Sequence, residues 1–232
     1  MAKVLVIGDT HFPAVHPGYL KFCRDLHAEY GCDTVVHIGD VVDLHAISLH
    51  DKDPDAQGAV DEYESALEHV KAWYKAFPDA RVCEGNHCQR IARMAATVSI
   101  PSRFLKGYNE LYKTPGWQWA TDHTIDEVFY THGTGNSAGI CPAFNIMSKM
   151  LLSTVSGHVH TAAGILWRAN KLRRIFGMNV GCGVLDSHVA FRYAANIRIK
   201  SILSAGVVLD GIPHHRIMPC GKGERYHASR FK

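Results

Sequence analysis

Lys3-Val-Leu-Val-Ile7-Gly8-Asp9-Thr10-His11 stands at the head of the chain and decides how the rest is read. Lys3 to Ile7 is a short apolar run rich in β-branched side chains, the signature of a strand buried on both faces of its sheet. Gly8 ends the run, and a carboxylate and an imidazole follow, two residues apart, at the strand's C-terminal end. Open α/β sheets gather their chemistry at such ends. An isolated Asp-x-His is also an ordinary Asx turn, so the fragment acquires meaning only through partners elsewhere.

Those partners repeat the same grammar. Thr34-Val-Val-His-Ile38 reads as a second buried strand and runs into Gly39-Asp40, then Val41-Val42-Asp43. Arg81 to Glu84 is a third, followed by Gly85-Asn86-His87-Cys88. Val128-Phe-Tyr130 leads into Thr131-His132-Gly133, and Ser153-Thr-Val-Ser156 into Gly157-His158-Val159-His160. A second carboxylate beside Asp9 would repel it unless a cation lay between them, which points to metal. Glycine before His158 and His160 lets the backbone bend so that both rings converge. Asn86 and His87 are adjacent and point in different directions, so one can bind metal while the other faces a substrate. His37 reads as a hydrogen-bonded core histidine.

Between the strands lie helices. Pro17 opens the first, with Leu20, Cys23, Leu26 and Tyr30 on its core face and Gly31 as its C-terminal cap. A polar loop over residues 51–58 precedes a long helix whose expected core stripe is Val60, Tyr63, Leu67, Val70, Tyr74 and Phe77, stopped by Pro78. Residues 89–97 form a helix carrying Arg90 and Arg93. Residues 107–126 read as irregular, with Tyr112, Trp117 and Trp119 as packing aromatics and a hairpin beginning near Trp117. The loop at residues 134–139 is built of small residues, weakly suggestive of a phosphate cradle. The helix after it begins near Pro142 and places Phe144, Met147 and Leu151 on one face. Strand-like runs follow at residues 162–167, 174–180, 197–203 and 205–209, the first two joined through Ala169-Asn170. Arg168, Lys171, Arg173 and Arg174 crowd that turn and read as a solvated hairpin tip rather than a nucleic-acid contact.

The chain's 232 residues fit one domain over residues 1–218, with a mildly basic tail over 219–232 that holds Lys222, Arg225, Arg230 and Lys232. Hydrophobic residues at 47% and charged ones at 20% match an ordinary globular protein. A net charge of +3 neither requires nor excludes nucleic acid. Sixteen histidines tilt the composition towards metal binding. Seven cysteines without framework spacing read as the reduced thiols of an intracellular protein. With no signal peptide and no membrane-length apolar run, a cytoplasmic location is expected and no membrane partner.

In order, Asp9-x-His11, Gly39-Asp40-x-x-Asp43, Gly85-Asn86-His87, Thr131-His132-Gly133 and Gly157-His158-x-His160 resemble the motifs of the calcineurin-like metallophosphoesterase superfamily. The resemblance spans roughly residues 3–182, and the compact size is similar to members encoded by bacteriophages, for which the location would be the host cytoplasm. It implies an α/β fold of two facing β-sheets flanked by helices, the αββα sandwich. It also implies two divalent metal ions, Mn²⁺ first and Fe²⁺, Zn²⁺ or Ni²⁺ as alternatives. One would be held by Asp9, His11, Asp40 and His160, the other by Asp40, Asn86, His132 and His158. His87 would then protonate the leaving oxygen, with Asp43 orienting its ring, and metal-activated hydroxide would attack a phosphate ester.

Three departures refine that expectation. Leu44-His45 stands where the superfamily's protein phosphatases carry Arg-Gly, which favours a phosphodiesterase or nuclease over a phosphomonoesterase. Arg90, Arg93 or His45 are the residues available to replace the missing phosphate grip. Cys88 replaces the usual Asp or Glu after Gly-Asn-His, and Asn179-Val-Gly-Cys182 replaces a turn that reads as structural. The expected substrate is a phosphate ester, with nucleotides and nucleic acid as candidates. The contrasting expectation is a metal-site scaffold without catalysis, as in the family's retromer subunit, which lacks the catalytic histidine.

Overall fold

Alternation along the first strand explains the layering. In β1 (Lys3–Ile7), Val4 and Val6 enter one apolar core while Leu5 and Ile7 enter another, so the strand is buried on both faces as expected. The computed structural model describes residues 1–49, 53–136, 139–194 and 199–219. β2 (Thr34–His37), β3 (Arg81–Cys83) and β4 (Gln118–Ala120) extend β1 in parallel, and β10 (Ser204–Leu209) and β11 (Ile212–Ile217) complete its other side antiparallel. The six-stranded order is β11-β10-β1-β2-β3-β4.

A second sheet holds β5 (Asp122–Ile125), β6 (Val128–Thr131), β7 (Ser153–Ser156), β8 (Ala163–Ala169) and β9 (Arg174–Val180) in the order β5-β6-β7-β9-β8. β6, β7 and β9 are parallel, and the two edge strands run against them. Val4, Val6, Val36 and Ile38 of the first sheet meet Tyr130, Val155, Phe176, Met178 and Val180 of the second in the core between them. α1 (Tyr19–Tyr30) and α2 (Ala59–Ala76) cover the outer face of the first sheet, and α5 (Pro142–Met150) packs on β7 and β9. Shorter helices, α3 (Arg90–Thr97) and α4 (Tyr108–Leu111), follow β3. Two facing sheets between helices is the expected architecture.

Several expectations shift. α1 starts at Tyr19, not Pro17, because buried Tyr19 pins the first turn: its hydroxyl donates to the Ser204 carbonyl (2.7 Å) and accepts the Gly8 N–H (3.0 Å). The buried line of α2 is Glu62, Ala66, Val70 and Trp73, and Val60 is 67% exposed. Tyr63 and Tyr74 sit on the flanks, where their hydroxyls reach the Leu111 carbonyl and the Gly116 N–H. Trp73 occupies the centre against Phe12, Tyr19 and Phe77. Leu151 is not on the core face of α5: it caps the helix in the left-handed region (φ +56) and is exposed.

Trp117 does not begin a hairpin but leads into β4, which pairs in parallel with β3. The chain then crosses to the second sheet, and the hairpin is β5–β6, closed by Asp126 and Glu127, both at positive φ. Tyr108, Tyr112, Trp117 and Trp119 stack together as packing aromatics. Residues 197–198 of the expected strand 197–203 lie outside the described residues. Of the remainder only Leu203 makes a bridge, to Cys182, because this segment crosses strand ends and donates the Ile202 N–H to His160. β11 was not expected. Apart from Pro219, the tail lies outside the described residues. Among the described residues no helix is long and apolar enough to cross a membrane. The six described cysteines are free thiols.

Candidate metal centre

Five parallel strands, three from one sheet and two from the other, end at the same rim, and each releases its polar residues there. The turns are tight. His11 (φ +46), Asp40 (φ +45) and His158 (φ +67) occupy the left-handed region, which costs a non-glycine residue about 1–3 kcal/mol and persists where surroundings over-determine it. The Asp40 carbonyl accepts both the Thr10 and His11 N–H groups (3.2 and 2.9 Å), locking the first two turns together. Glycine is required by close approach: a Cβ at Gly85 would lie 2.0 Å from Asp40 Oδ1, and one at Gly157 2.2 Å from Asp9 Oδ1. These two glycines clear room for a carboxylate from another strand end, and Gly39 does the same for the His132 ring, 2.6 Å from where its Cβ would lie.

All seven residues expected as ligands converge. His160 Nε2 lies 3.1 Å from Asp9 Oδ2 and 3.1 Å from His11 Nε2. On the other side, His132 Nε2 lies 3.1 Å from Asp40 Oδ2, 3.1 Å from Asn86 Oδ1 and 3.2 Å from His158 Nδ1. Asp40 faces both groups, with Oδ2 also 3.6 Å from His11 Nε2. In the groupings Asp9/His11/His160, Asp40/His132/His158 and His11/Asp40/His87, the ligand-type atoms lie within 4.8 Å of one another.

This donor set fits divalent cations. A ring nitrogen carries at most one proton, so His132 Nε2 cannot satisfy Asp40, Asn86 and His158 together. Asp9 Oδ1 is buried without a hydrogen-bond partner among the described residues. Lone pairs converge where protons are too few, and the donors are oxygen and nitrogen without thiolate, suited to first-row divalent metals.

The electrostatics agree. Burial alone would lower the His132 pKa, but the Asp40 and Asp9 carboxylates overcome it and raise it to about 9. That is the negative field a cation would occupy. Burial and the neighbouring His87 push His11 down to about 4, against the pull of Asp43. Burial works against ionisation of Asp9 and Asp40, yet the surrounding histidines hold both carboxyls below their ordinary value.

His87 stands beside the centre. Its N–H donates to Asp40 Oδ1 (2.8 Å), and its Nδ1 lies 3.0 Å from both the carboxylate and the carbonyl of Asp43. Asp43 also holds His11 Nδ1 at 2.7 Å, so one buried carboxylate orients two rings. Burial lowers the His87 pKa, but Asp40 and Asp43 outweigh burial and the opposing Arg90 charge and raise it. Arg90 donates through Nη1 to the Asp43 carbonyl (2.6 Å) and brings Nη2 to 3.2 Å from His87 Nε2.

Arg90, Arg93 and His45 line a cleft of about 430 Å³ together with Ile47, Met94 and Phe191. A second cleft, of about 360 Å³, is lined by His158, His160, Thr161, Lys200 and Ser201. Asn86, His87 and Phe191 line both. His37 is buried and bonded to Thr10 Oγ1 (3.1 Å), the core histidine expected. Cys88 is buried and its thiol pushed up to about 12 by burial, a packing group rather than a reactive one. Asn179 is structural: it accepts the Ala143 N–H (3.0 Å) at the start of α5 and donates to Ser156 Oγ. That occupies an amide at the N-terminus of α5, the helix that follows the small-residue loop, and residues 137–138 of the loop lie outside the described residues.

Sequence reasoning missed Phe191, whose ring centroid lies 5.4 Å from that of His11, and Glu62, whose carboxylate accepts the His45 and Ala46 N–H groups (2.7 and 2.8 Å) and fixes the wall of the first cleft. No motif marks Phe191. Glu62 could have been found as an acid falling on the buried face of its helix.

A family model for calcineurin-like phosphoesterases matches residues 2–162. Among curated proteins none matches the sequence. Solved structures similar to this chain include Vacuolar Protein Sorting 29 from Cryptosporidium parvum, at 13% identity over 94% of this chain and 96% of that one, with a TM-score of 0.46. The phosphoesterase Yfce from E. coli is 13% identical over 91% and 90% of the two chains, with a TM-score of 0.45. The nuclease MPE of Pseudomonas putida is 14% identical over 93% and 87%, with a TM-score of 0.44.

Proposed function

The chain belongs to the calcineurin-like phosphoesterase family of metal-dependent hydrolases, and on that premise we propose that it hydrolyses phosphodiesters at a two-cation centre. Asp9, His11, Asp40 and His160 would hold one cation and Asp40, Asn86, His132 and His158 the other, with Mn²⁺ the metal to test first and Fe²⁺, Zn²⁺ and Ni²⁺ after it. Divalent cations bound there polarise phosphoryl oxygens and bring the ionisation of water towards neutral pH.

The chain's own residues do the rest. Asp43 holds His87 by Nδ1 and keeps its Nε2 edge turned to the centre, where it delivers a proton to the leaving oxygen. A pKa raised by Asp40 and Asp43 suits that task, because the two carboxylates favour the protonated ring that must give up its proton to the leaving oxygen. Arg90, 14% exposed, steadies the Asp43 carbonyl and presents positive charge to the first cleft, the place where the missing phosphatase arginine would be sought.

The observation that carries the diester reading is the pair of clefts meeting at Asn86, His87 and Phe191. A phosphate seated at the centre has room for a substituent on either side, which a monoester would leave half empty. Nucleotides and nucleic acid are the candidate substrates of that shape.

Metal-stripped protein reloaded with Mn²⁺ should turn over bis-p-nitrophenyl phosphate faster than p-nitrophenyl phosphate. His87→Asn should keep both cations and lose about 10²–10⁴-fold of the diester rate. Faster monoester turnover would replace this reading with a phosphomonoesterase. Silence on both substrates with two cations per chain would favour a metal-holding scaffold.

A further inference from the structure

From Val128 to Leu185 the sequence contains no Asp or Glu, although 22 acidic residues occur in the rest of the chain. That stretch builds β6, α5, β7, β8 and β9 and brings three of the histidines to the metal centre. Its cations are Lys149, Arg168, Lys171, Arg173 and Arg174, all exposed. Among the described residues none of the five is paired with a carboxylate.

Their placement is not scattered. Lys149 lies at the end of α5, and Arg168 Nη1 donates to Ser148 Oγ (3.2 Å), which joins that helix end to the β8–β9 hairpin. Lys171 and Arg173 lie in the turn closed by the Asn170 N–H to the Arg173 carbonyl (2.9 Å). Arg174 stacks its guanidinium 4.7 Å over the ring of Trp167, which is 43% exposed on the edge strand. β8 begins three residues after His160 and runs seven residues to the turn, so this edge leads roughly 23 Å away from the metal centre.

An ordinary solvated surface intersperses both signs of charge. A single-sign field with an exposed indole beside an arginine is instead what a polyanion with stackable rings would meet. We propose that the β8–β9 hairpin and the end of α5 form a docking surface for single-stranded polynucleotide, whose backbone leaves the centre and follows the β8 edge. The phosphodiesterase reading supplies what happens to the strand at the centre, and the proposal rests on it there. The docking itself is measurable without turnover.

The test is fluorescence anisotropy of the full Mn²⁺-loaded chain with labelled phosphorothioate oligothymidylates, one long and one a dinucleotide, across a salt series. Lys171→Glu/Arg173→Glu should bind the long strand at least about tenfold more weakly, with a salt slope shallower by about 0.7 for each phosphate no longer neutralised. Dinucleotide binding and turnover of bis-p-nitrophenyl phosphate should be unchanged. Trp167→Leu should weaken the long strand several-fold without altering the slope. A thermal melt guards against misfolding, and Lys171→Ala/Arg173→Ala should repeat the loss at smaller size. Equal binding by wild type and the charge-reversed variant overturns the surface, as does equal loss for the dinucleotide. Wild type that co-sediments with phosphatidylserine vesicles and ignores the oligonucleotide overturns it in favour of a membrane face. If the oligonucleotide results hold while neither nitrophenyl ester is hydrolysed, the diesterase reading falls and the docking surface stands.

Discussion

The two sheets contribute unequally to one site, since all the negative charge comes from one of them. The strand ends of the first sheet bring every carboxylate, Asp9, Asp40 and Asp43, together with the Asn86 amide and the His11 and His87 rings. Those of the second bring only imidazoles, His132, His158 and His160, from a stretch free of acids. Three buried carboxylates on one sheet would repel and resist ionisation. The imidazoles of the other sheet supply donors that add no negative charge, and His132 takes up part of the field as its pKa rises to about 9. The lesson is that the centre belongs to neither half and exists where the sandwich closes.

That contrast can be broken first on its charged side. Asp40 faces both ligand groups and accepts the His87 N–H, so Asp40→Asn should remove most bound metal and lower diester turnover on the order of 10³-fold. Elemental analysis beside steady-state rates checks both. On the imidazole side the damage should be partial. His160→Ala removes a neighbour of Asp9 and His11 but leaves the His132 group intact, so about one cation per chain should remain, with a loss nearer 10–100-fold. Equal effects of the two substitutions would mean that the sheets do not divide the work as described.

Smaller effects sharpen the comparison. Glu62 is a buried acid of the first half turned to backbone rather than to the centre. Glu62→Ala leaves two amides without their acceptor and should cost about 1–3 kcal/mol in denaturant unfolding. It should raise KM with kcat and metal content unchanged, and Glu62→Gln, which keeps one acceptor oxygen, should recover part of the loss. The smallest effect is expected at Cys88. With its pKa pushed up to about 12 and no exposure, it should resist iodoacetamide in native protein at neutral pH and react only after unfolding, as peptide mapping would reveal.

The site was more legible than the fold around it. Each candidate ligand follows its strand within a few residues, so Asp9, Asp40, Asn86, His132 and His158 announce themselves locally. Burial patterns were legible where a strand is covered on both faces, as in β1, and less so on α2. There a one-residue error rotates the helix by about 100° and exchanges Trp73 for Tyr74. Neighbouring strands β4 and β5 lie only one residue apart yet enter different sheets, a choice made by their partners β3 and β6 and not by their own side chains.

By itself the sequence determined the donor types, their order, the glycines between them and the acid-free stretch from Val128 to Leu185, because these are properties of short segments and of composition. Only the tertiary structure decided that the two strand edges share one rim, that Asp43 serves both His11 and His87, and that Phe191 and Glu62 shape the clefts. Those facts depend on contacts between residues far apart in the chain, 31 of them between Thr10 and Val41 and 151 between Asp9 and His160, where no local pattern reaches.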